Sequence, residues 1–173
     1  MGEVLAKLID RISTYEILNN IIPGSVYIAL IERLTPLKIQ CGKLWTDIVI
    51  SYFLGLVIGR IGSLLVAPCL RWLKVLDPPI YPEYMKAEKD SRVCQFSMIS
   101  NMYRSFTAVA LCLLATLIGL NYTSDMETSK YILKVLGCLV LIVLFTLSYR
   151  KQDKYLTSRI KAVNDLKIQD GNS

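Results

Sequence analysis

Two uncharged apolar stretches near the carboxyl end of the chain limit its fold most strongly. LCLLATLIGL begins at residue 111 and LGCLVLIVLFTL begins at residue 136. Both stretches are apolar on every side of a helix, whereas a surface helix of a soluble protein keeps one polar face. A helix needs about 20 mainly apolar residues to cross roughly 30 Å of hydrocarbon. The two stretches therefore predict membrane spans and disfavour the alternative, a soluble bundle with very apolar core helices.

The same criterion gives two further candidate spans. The four candidates cover residues 15–34, 48–70, 105–122 and 131–149. The first is the weakest, because its opening YEILNNIIPG is partly polar. The composition agrees, since 53% of the residues are hydrophobic and soluble domains average about 45–50%. We therefore predict an all-α polytopic membrane protein with four transmembrane helices and a short helical cytoplasmic loop.

Three segments lie outside the predicted spans. Residues 1–14 place apolar side chains on one stripe of a helix, which predicts either an amphipathic helix on the membrane surface or a solvated tail. Residues 71–104 form a loop that is too short for a hydrophobic core of its own. Residues 150–173 form a basic tail that continues helical for two or three turns and then ends in polar QDGNS.

The distribution of Lys and Arg predicts the orientation of the chain. Fourteen of the 20 lie in the amino-terminal segment, the 71–104 loop and the tail, whereas four, Arg33, Lys38, Lys43 and Lys130, lie on the opposite side. Basic residues concentrate on the cytoplasmic side of membrane proteins. We therefore expect a multi-pass protein of the cell inner membrane with both termini in the cytoplasm. The net charge of +6 is accounted for by anionic headgroups, and we expect no direct nucleic-acid binding.

The residue types needed for common enzyme chemistry are scarce. The chain has no histidine, and its five cysteines include no C-x-x-C pair. Histidine is the commonest general base and metal ligand, and no nucleotide-binding or hydrolase motif is present. We therefore predict that the protein is not an enzyme, with no catalytic residue, metal or cofactor.

Small residues recur every four positions in the second span. Such a ridge lets two helix backbones approach closely, which favours helix association in lipid. It serves either packing within one chain or self-association, and on the second interpretation the protein is a homo-oligomer. The ridge consists of Ser51, Gly55, Gly59, Ser63 and Ala67.

Arg60 lies near the middle of the same span. An arginine there costs about 2.5–3.5 kcal/mol on insertion scales and needs a partner. Pro23 in the first span cannot donate a hydrogen bond to the carbonyl group of Asn19. That free carbonyl group, with the amide side chains of Asn19 and Asn20, is a candidate partner for Arg60. The alternative is that Arg60 extends to the cytoplasmic interface. The first interpretation predicts a polar intramembrane kink of Asn19, Asn20, Pro23, Gly24 and Arg60.

The end of the 71–104 loop carries a helical pattern. Its apolar stripe includes Val93 and Phe96, and charged residues cover the other face. This pattern predicts a docking helix for a cytoplasmic protein or ribonucleoprotein. The candidate docking residues are Glu88, Lys89, Asp90, Arg92, Tyr103 and Arg104.

Three segments of the chain carry a resemblance to a known group. YEILNNIIPG, YFLGLVIGRIGSLLVAP and YPEYMKAEKDSRVCQFSMISNMYR resemble small bacterial membrane proteins that occur with antiphage defence modules. These include retron systems, in which a reverse transcriptase and its RNA restrain a membrane effector, and the membrane component of the Kiwa system is also similar. The resemblance implies a toxin-like effector of abortive infection, which perturbs the inner membrane when a sensing partner releases it.

Two other functions fit the same sequence. One is a membrane scaffold for a cytosolic defence partner, which would use the docking helix. The other is a small transporter or channel subunit, although no internal inverted repeat of the kind common in transporters is evident.

Overall fold

The computed structural model describes residues 14–76, 81–87, 90–123 and 128–170 of the chain. Every regular element in these ranges is helical, which confirms the all-α prediction for this part of the chain. The predicted amphipathic segment lies outside the described residues except for Thr14. We number the helices in chain order: α1 Thr14–Leu34, α2 Leu44–Trp72, α3 Tyr81–Ala87, α4 Ser91–Thr123 and α5 Thr128–Asp170.

Within the described ranges, three helices are long and apolar enough to cross a membrane. They are α2, α4 and α5. The prediction of four such helices was therefore wrong by one, because α1 does not meet the criterion. Asn19 and Asn20 make its first half polar, and the charged pair Glu32–Arg33 lies near its end.

Helix α2 contains one turn of π-helix. Regular α-helix runs from Leu44 to Ile61, a π segment covers Gly62–Val66, and α-helix resumes to Trp72. The Ala67 amide donates to the Gly62 carbonyl group, five residues back. Pro68 follows directly and cannot donate to the carbonyl group four residues back. The wider π turn accommodates the proline without ending the helix.

Helices α1 and α2 pack with their backbones in close contact. A Cβ atom built on Gly55 would lie 1.7 Å from the Asn20 carbonyl oxygen, and one built on Gly24 would lie 1.8 Å from the Ser51 carbonyl oxygen. These contacts fix an antiparallel register that pairs Asn20 with Gly55. Extended along the helices, this register places Thr14 level with about Ile61, near the middle of α2.

The main core lies between α1, α2, α4 and α5. Leu113 and Leu117 are its largest fully buried side chains, and the Phe106 and Phe145 rings stack at 5.2 Å between α4 and α5. The hydroxyl groups of Tyr27 and Thr116 lie 3.2 Å apart and link α1 to α4. On α5, the Lys134 ammonium group donates to the carbonyl oxygen of Leu34, the last residue of α1, at 2.6 Å.

A second core lies at one end of the molecule, where α3 and the start of α4 pack on the last third of α5. Its buried residues are Ala87, Val93, Leu156, Ile160 and Val163. Arg159 pairs with Asp90 at 2.7 Å, and the Asn164 amide group donates to the Glu83 carbonyl oxygen at 3.1 Å. The 71–104 segment therefore does take part in a core, because the tail supplies the other half. The tail is helical to Asp170, well beyond the predicted two or three turns.

Much of the apolar surface of the long helices is exposed. Only 6% of the most apolar stretch of α5 is buried, and α5 exposes Leu133, Val140, Val143 and Leu147. The indole groups of Trp45 and Trp72, at the two ends of α2, are 80% and 82% exposed. At 1.5 Å per residue, they lie about 40 Å apart along the helix.

Candidate polar site between α1, α2 and α4

A polar cavity of about 380 Å³ opens between α1, α2 and α4. It differs from two apolar grooves along α5, which are lined almost entirely by aliphatic side chains. Each of the three helices contributes polar residues to it. The lining residues are Asn19, Asn20, Tyr52, Leu56, Gly59, Arg60, Ser63, Asn101, Arg104 and Ser105.

The glycines of α2 create the space for these side chains. A Cβ atom on Gly59 would be 4.0 Å from the Asn20 side-chain oxygen, so the glycine leaves room for the amide group. A Cβ atom on Gly62 would lie 3.3 Å from Cγ of Arg104, which shows how closely that side chain crosses α2. The Ser63 hydroxyl group donates to the Gly59 carbonyl oxygen at 2.9 Å. Small residues and the π turn thus form the α2 wall of the cavity.

Two buried polar atoms of the lining residues have no hydrogen-bond partner. They are the side-chain oxygen of Asn19, which is an acceptor, and Nε of Arg104, which is a donor. A buried polar group without a partner costs about 1–3 kcal/mol. Native structures usually satisfy such groups with water or a bound ligand. Both atoms are buried, so an occupant of the cavity would reach them after a small shift of the two side chains.

The cavity has a positive charge balance. Arg60 and Arg104 line it, and no carboxylate group does so among the described residues. Beyond Arg104 lies the hydroxyl group of Tyr149, which is also close to Arg71 and Asp153. Two guanidinium groups and no carboxylate group of the described residues thus line the cavity, so an anion is the occupant that the electrostatics favour.

The structure brings three of the five predicted kink residues to this cavity. Asn19, Asn20 and Arg60 line it together, although no hydrogen bond joins Arg60 to either asparagine. Pro23 and Gly24 are buried about one turn further along α1, where Gly24 contacts α2. The Arg60 side chain is exposed at the mouth of the cavity.

The small-residue ridge is partly covered within the chain. Ser51 and Gly55 contact α1, Gly59 and Ser63 line the cavity, and Ala67 is buried. Packing within one chain, one of the two roles considered for the ridge, is therefore observed at Ser51 and Gly55. Self-association stays a prediction.

The candidate docking residues do not form one surface. Glu88 and Lys89 lie outside the described residues, and Arg92 is exposed. Asp90 accepts hydrogen bonds from the backbone amides of Arg92 and Val93 at the start of α4. Tyr103 packs against the main core, and Arg104 lines the cavity.

The pairing with Arg159 lowers the pKa of Asp90, and the two backbone amides lower it further. The same pairing raises the pKa of Arg159. The apolar stripe through Val93 and Phe96, on which the docking prediction depended, packs against α5 of the same chain.

Seven of the ten lining residues were missed as cavity residues from the sequence. Tyr52, Leu56, Asn101 and Ser105 received no role. Gly59 and Ser63 were assigned to the ridge, and Arg104 to the docking helix. A signal was present in α4, because residues at spacings of three and four share a helix face. Asn101, Arg104 and Ser105 have this spacing and form a polar patch at the start of an apolar span.

Comparison with protein-family models, curated proteins and solved structures gives no match. No group of three or more potential metal ligands occurs in the described part of the chain.

Proposed function

We propose that the protein is an integral protein of a bacterial inner membrane and acts on that membrane as an effector of antiphage defence. The observation that carries the membrane action is the cationic cavity, which lies beside Arg60 within a belt of exposed apolar helices. The defence role follows from the resemblance of three segments to membrane proteins of defence modules.

The exposed surface supports the membrane location. An aqueous environment disfavours the aliphatic side chains along α5, whereas lipid tails do not. Tryptophan is enriched at membrane interfaces, and a bilayer with its headgroup regions is about 40–45 Å thick. The spacing of about 40 Å between Trp45 and Trp72 matches this thickness.

Helix α1 enters the bilayer as the fourth helix of this domain because it packs on α2. On its own it is too polar to meet the criterion for a span. Packing on α2 and α4 turns Asn19 and Asn20 into the cavity and away from lipid. Lys134 satisfies the last carbonyl group of α1 at the other end. The partners of α1 thus shelter the groups that make it polar.

The second core supports the predicted sidedness. It brings α3, the start of α4 and the end of α5 to one end of the molecule. The two segments that meet there, 71–104 and 150–173, carry six basic residues each. Under the positive-inside rule this end faces the cytoplasm, where a protein or ribonucleoprotein partner would reach it.

The cavity suggests how the protein perturbs a bilayer. Arginine at bilayer depth recruits water and thins the membrane locally. Arg60 lies about 20 Å from the Trp45 end of α2 at 1.5 Å per residue, so its charge lies well inside the apolar region. When a partner releases the protein, water and ions drawn to this charge lower the barrier to leakage.

Controlled expression without any partner tests this function. We expect the wild-type chain to collapse the membrane potential, measured with a voltage-sensitive dye, and to stop growth. Arg60→Leu should insert equally well but lose the effect, because it removes the charge at the cavity mouth. Arg150→Gln is the matched control, since Arg150 is exposed outside the cavity. Depolarisation by Arg60→Leu equal to wild type would contradict the role of the cavity.

A membrane scaffold is the second candidate, and the second core favours it. This core forms a helical platform beyond the apolar stretches, with Arg92 and Arg150 exposed. A scaffold would be tolerated when expressed alone, so an unchanged membrane potential would favour this function over the effector. A transporter or channel subunit would also be tolerated, but it would conduct or carry a defined solute in vesicles.

A further inference from the structure

We infer that the cavity between α1, α2 and α4 binds a glycerophosphate group, with the phosphate held by Arg60 and Arg104. This ligand rests on the proposed membrane function, because it assigns an occupant to the same cavity. Both a phospholipid headgroup and free glycerol 3-phosphate present this chemistry.

The charge balance selects an anion. Arg60 and Arg104 line the cavity without a carboxylate partner there among the described residues. Phosphate oxygens are preferred partners of guanidinium groups because the planar fork of arginine matches their geometry.

The two unpartnered atoms indicate which groups the ligand carries besides a phosphate. Nε of Arg104 is a donor that a phosphate oxygen would satisfy, and the Asn19 side-chain oxygen is an acceptor that needs a hydroxyl or N–H donor. A phosphoglycerol group satisfies both, because its glycerol hydroxyl groups donate. Inorganic phosphate also carries P–OH donors near neutral pH, so the size of the cavity, and not this pairing, favours the larger phosphoglycerol group over phosphate. The hydroxyl groups of Tyr52 and Ser105 and the amide group of Asn101 complete a polar lining.

Size and access fit a headgroup. The cavity holds about 380 Å³, and a water molecule occupies about 30 Å³, so a phosphoglycerol group enters together with several waters. Arg60 is exposed at the mouth, and the described part of α1 begins level with about Ile61. A lipid bound there would be drawn toward Arg60, which thins the leaflet locally.

Native mass spectrometry of the full chain in detergent measures the binding directly. The probes are dioctanoyl phosphatidylglycerol, dioctanoyl phosphatidylethanolamine, glycerol 3-phosphate and inorganic phosphate. We expect the wild type to bind phosphatidylglycerol at least tenfold more tightly than inorganic phosphate. Arg60→Gln and Arg104→Gln should each weaken that binding about tenfold, which is the lower range for a hydrogen bond to a charged group.

Two controls separate loss of the site from loss of the fold. Arg150→Gln keeps the cavity and should bind like wild type. Circular dichroism checks the helicity of each variant. If Arg104→Gln does not fold, Arg60→Gln decides alone, because the Arg60 side chain is exposed and its loss leaves no buried gap.

The probes distinguish the sources of the ligand. Preference for phosphatidylglycerol identifies a lipid site, and equal binding of glycerol 3-phosphate identifies a soluble ligand; both support the inference. Absence of binding by all four probes, or wild-type binding by the Arg60→Gln variant, overturns it. If the protein depolarises cells but binds none of the probes, the ligand inference is refuted and the proposed function stands. If it binds phosphatidylglycerol without depolarising cells, the ligand inference stands and the proposed function is refuted.

Discussion

Replacing Gly55 with alanine tests whether the close approach of α1 and α2 holds the four long helices together. The new Cβ atom would lie 1.7 Å from the Asn20 carbonyl oxygen, against 3.4–4 Å for ordinary van der Waals contact. The Asn20 oxygen is a backbone atom and the position of the Cβ atom is fixed by the α2 backbone, so no side-chain rotation relieves the clash. The two helices must therefore separate by about 1.7 Å, which breaks the contacts on either side of Gly55.

The expected loss of stability is large for a single methyl group. Overpacking costs about 1–3 kcal/mol, and a clash between backbones belongs at the upper end. The better helix propensity of alanine offsets about 1 kcal/mol of this. A net loss of about 2 kcal/mol lowers Tm by roughly 4–8 °C in a chain of this size. Gly24→Ala should behave similarly, because its Cβ atom would lie 1.8 Å from the Ser51 carbonyl oxygen.

Thermal unfolding in detergent micelles, followed by tryptophan fluorescence, measures the change. Trp45 and Trp72 flank the packed part of α2 and serve as reporters. Gly119→Ala and Gly137→Ala are matched controls, because nothing lies within 4 Å of a Cβ atom at either position. Both controls should keep or slightly raise Tm. If Gly55→Ala unfolds at the same temperature as these controls, the close contact does not stabilise the fold.

Three further predictions concern the ends of the helices. Ile160→Ala should destabilise the second core by about 2–4 kcal/mol, because Ile160 is fully buried; faster proteolysis of α5 beyond Arg150, with the rest intact, would show this, and unchanged cleavage would contradict it. The ion pair of Asp90 should be intact at neutral pH, since its pKa is lowered, and should be lost as pH falls below the usual value of about 4 and through the lowered one. Protection of the amides at the start of α4, relative to the intrinsic exchange rate at each pH, should then fall in acid and already be low at pH 7 in Asp90→Asn; protection that does not change with pH would exclude the pair. Lys134→Met removes the hydrogen bond to the last carbonyl group of α1. Amide exchange at that end should therefore increase by a factor that reflects about 1.5–3 kcal/mol. Exchange equal to that of the wild type would show that this hydrogen bond does not stabilise the end of α1.

The apolar stretches were sufficient to predict the long helices but not their ends. LCLLATLIGL and LGCLVLIVLFTL lie within α4 and α5, as expected. Both helices extend well beyond their apolar part, α4 toward its start and α5 toward its end. A hydropathy criterion ends a predicted span at the first charged residues. The two helices continue beyond that point because Val93 of α4 and Ile160 of α5 are both buried in the second core.

The second core depends on partners far apart in the sequence. The stripe through Val93 and Phe96 was visible, and so was a matching stripe at Leu156, Ile160 and Val163, which follows helical spacing. Nothing in either stripe alone identifies the other as its partner. The antiparallel pairing of α4 with α5 brings them together, and this pairing also places Arg159 beside Asp90.

The polar cavity also contains a residue whose partners the sequence did not identify. Asn19, Asn20 and Arg60 were grouped because a buried charge needs partners, and they do line one cavity. Arg104 was assigned elsewhere because its segment resembled a surface helix. Gly62 gives its side chain room, since a Cβ atom there would lie 3.3 Å from Cγ of Arg104, which is a tight contact.

The glycines of α2 therefore have two different physical roles on one ridge. At Gly55 the backbones of α1 and α2 are in contact, so any side chain would separate them. At Gly59, one turn later, a Cβ atom would have 4.0 Å of clearance from the Asn20 side chain, because the helices have begun to diverge around the cavity. Close contact at the first position sets the distance between α1 and α2 at the second. The packing that stabilises the domain thus also fixes the width of the cavity that holds Arg60, and a change in one is transmitted to the other.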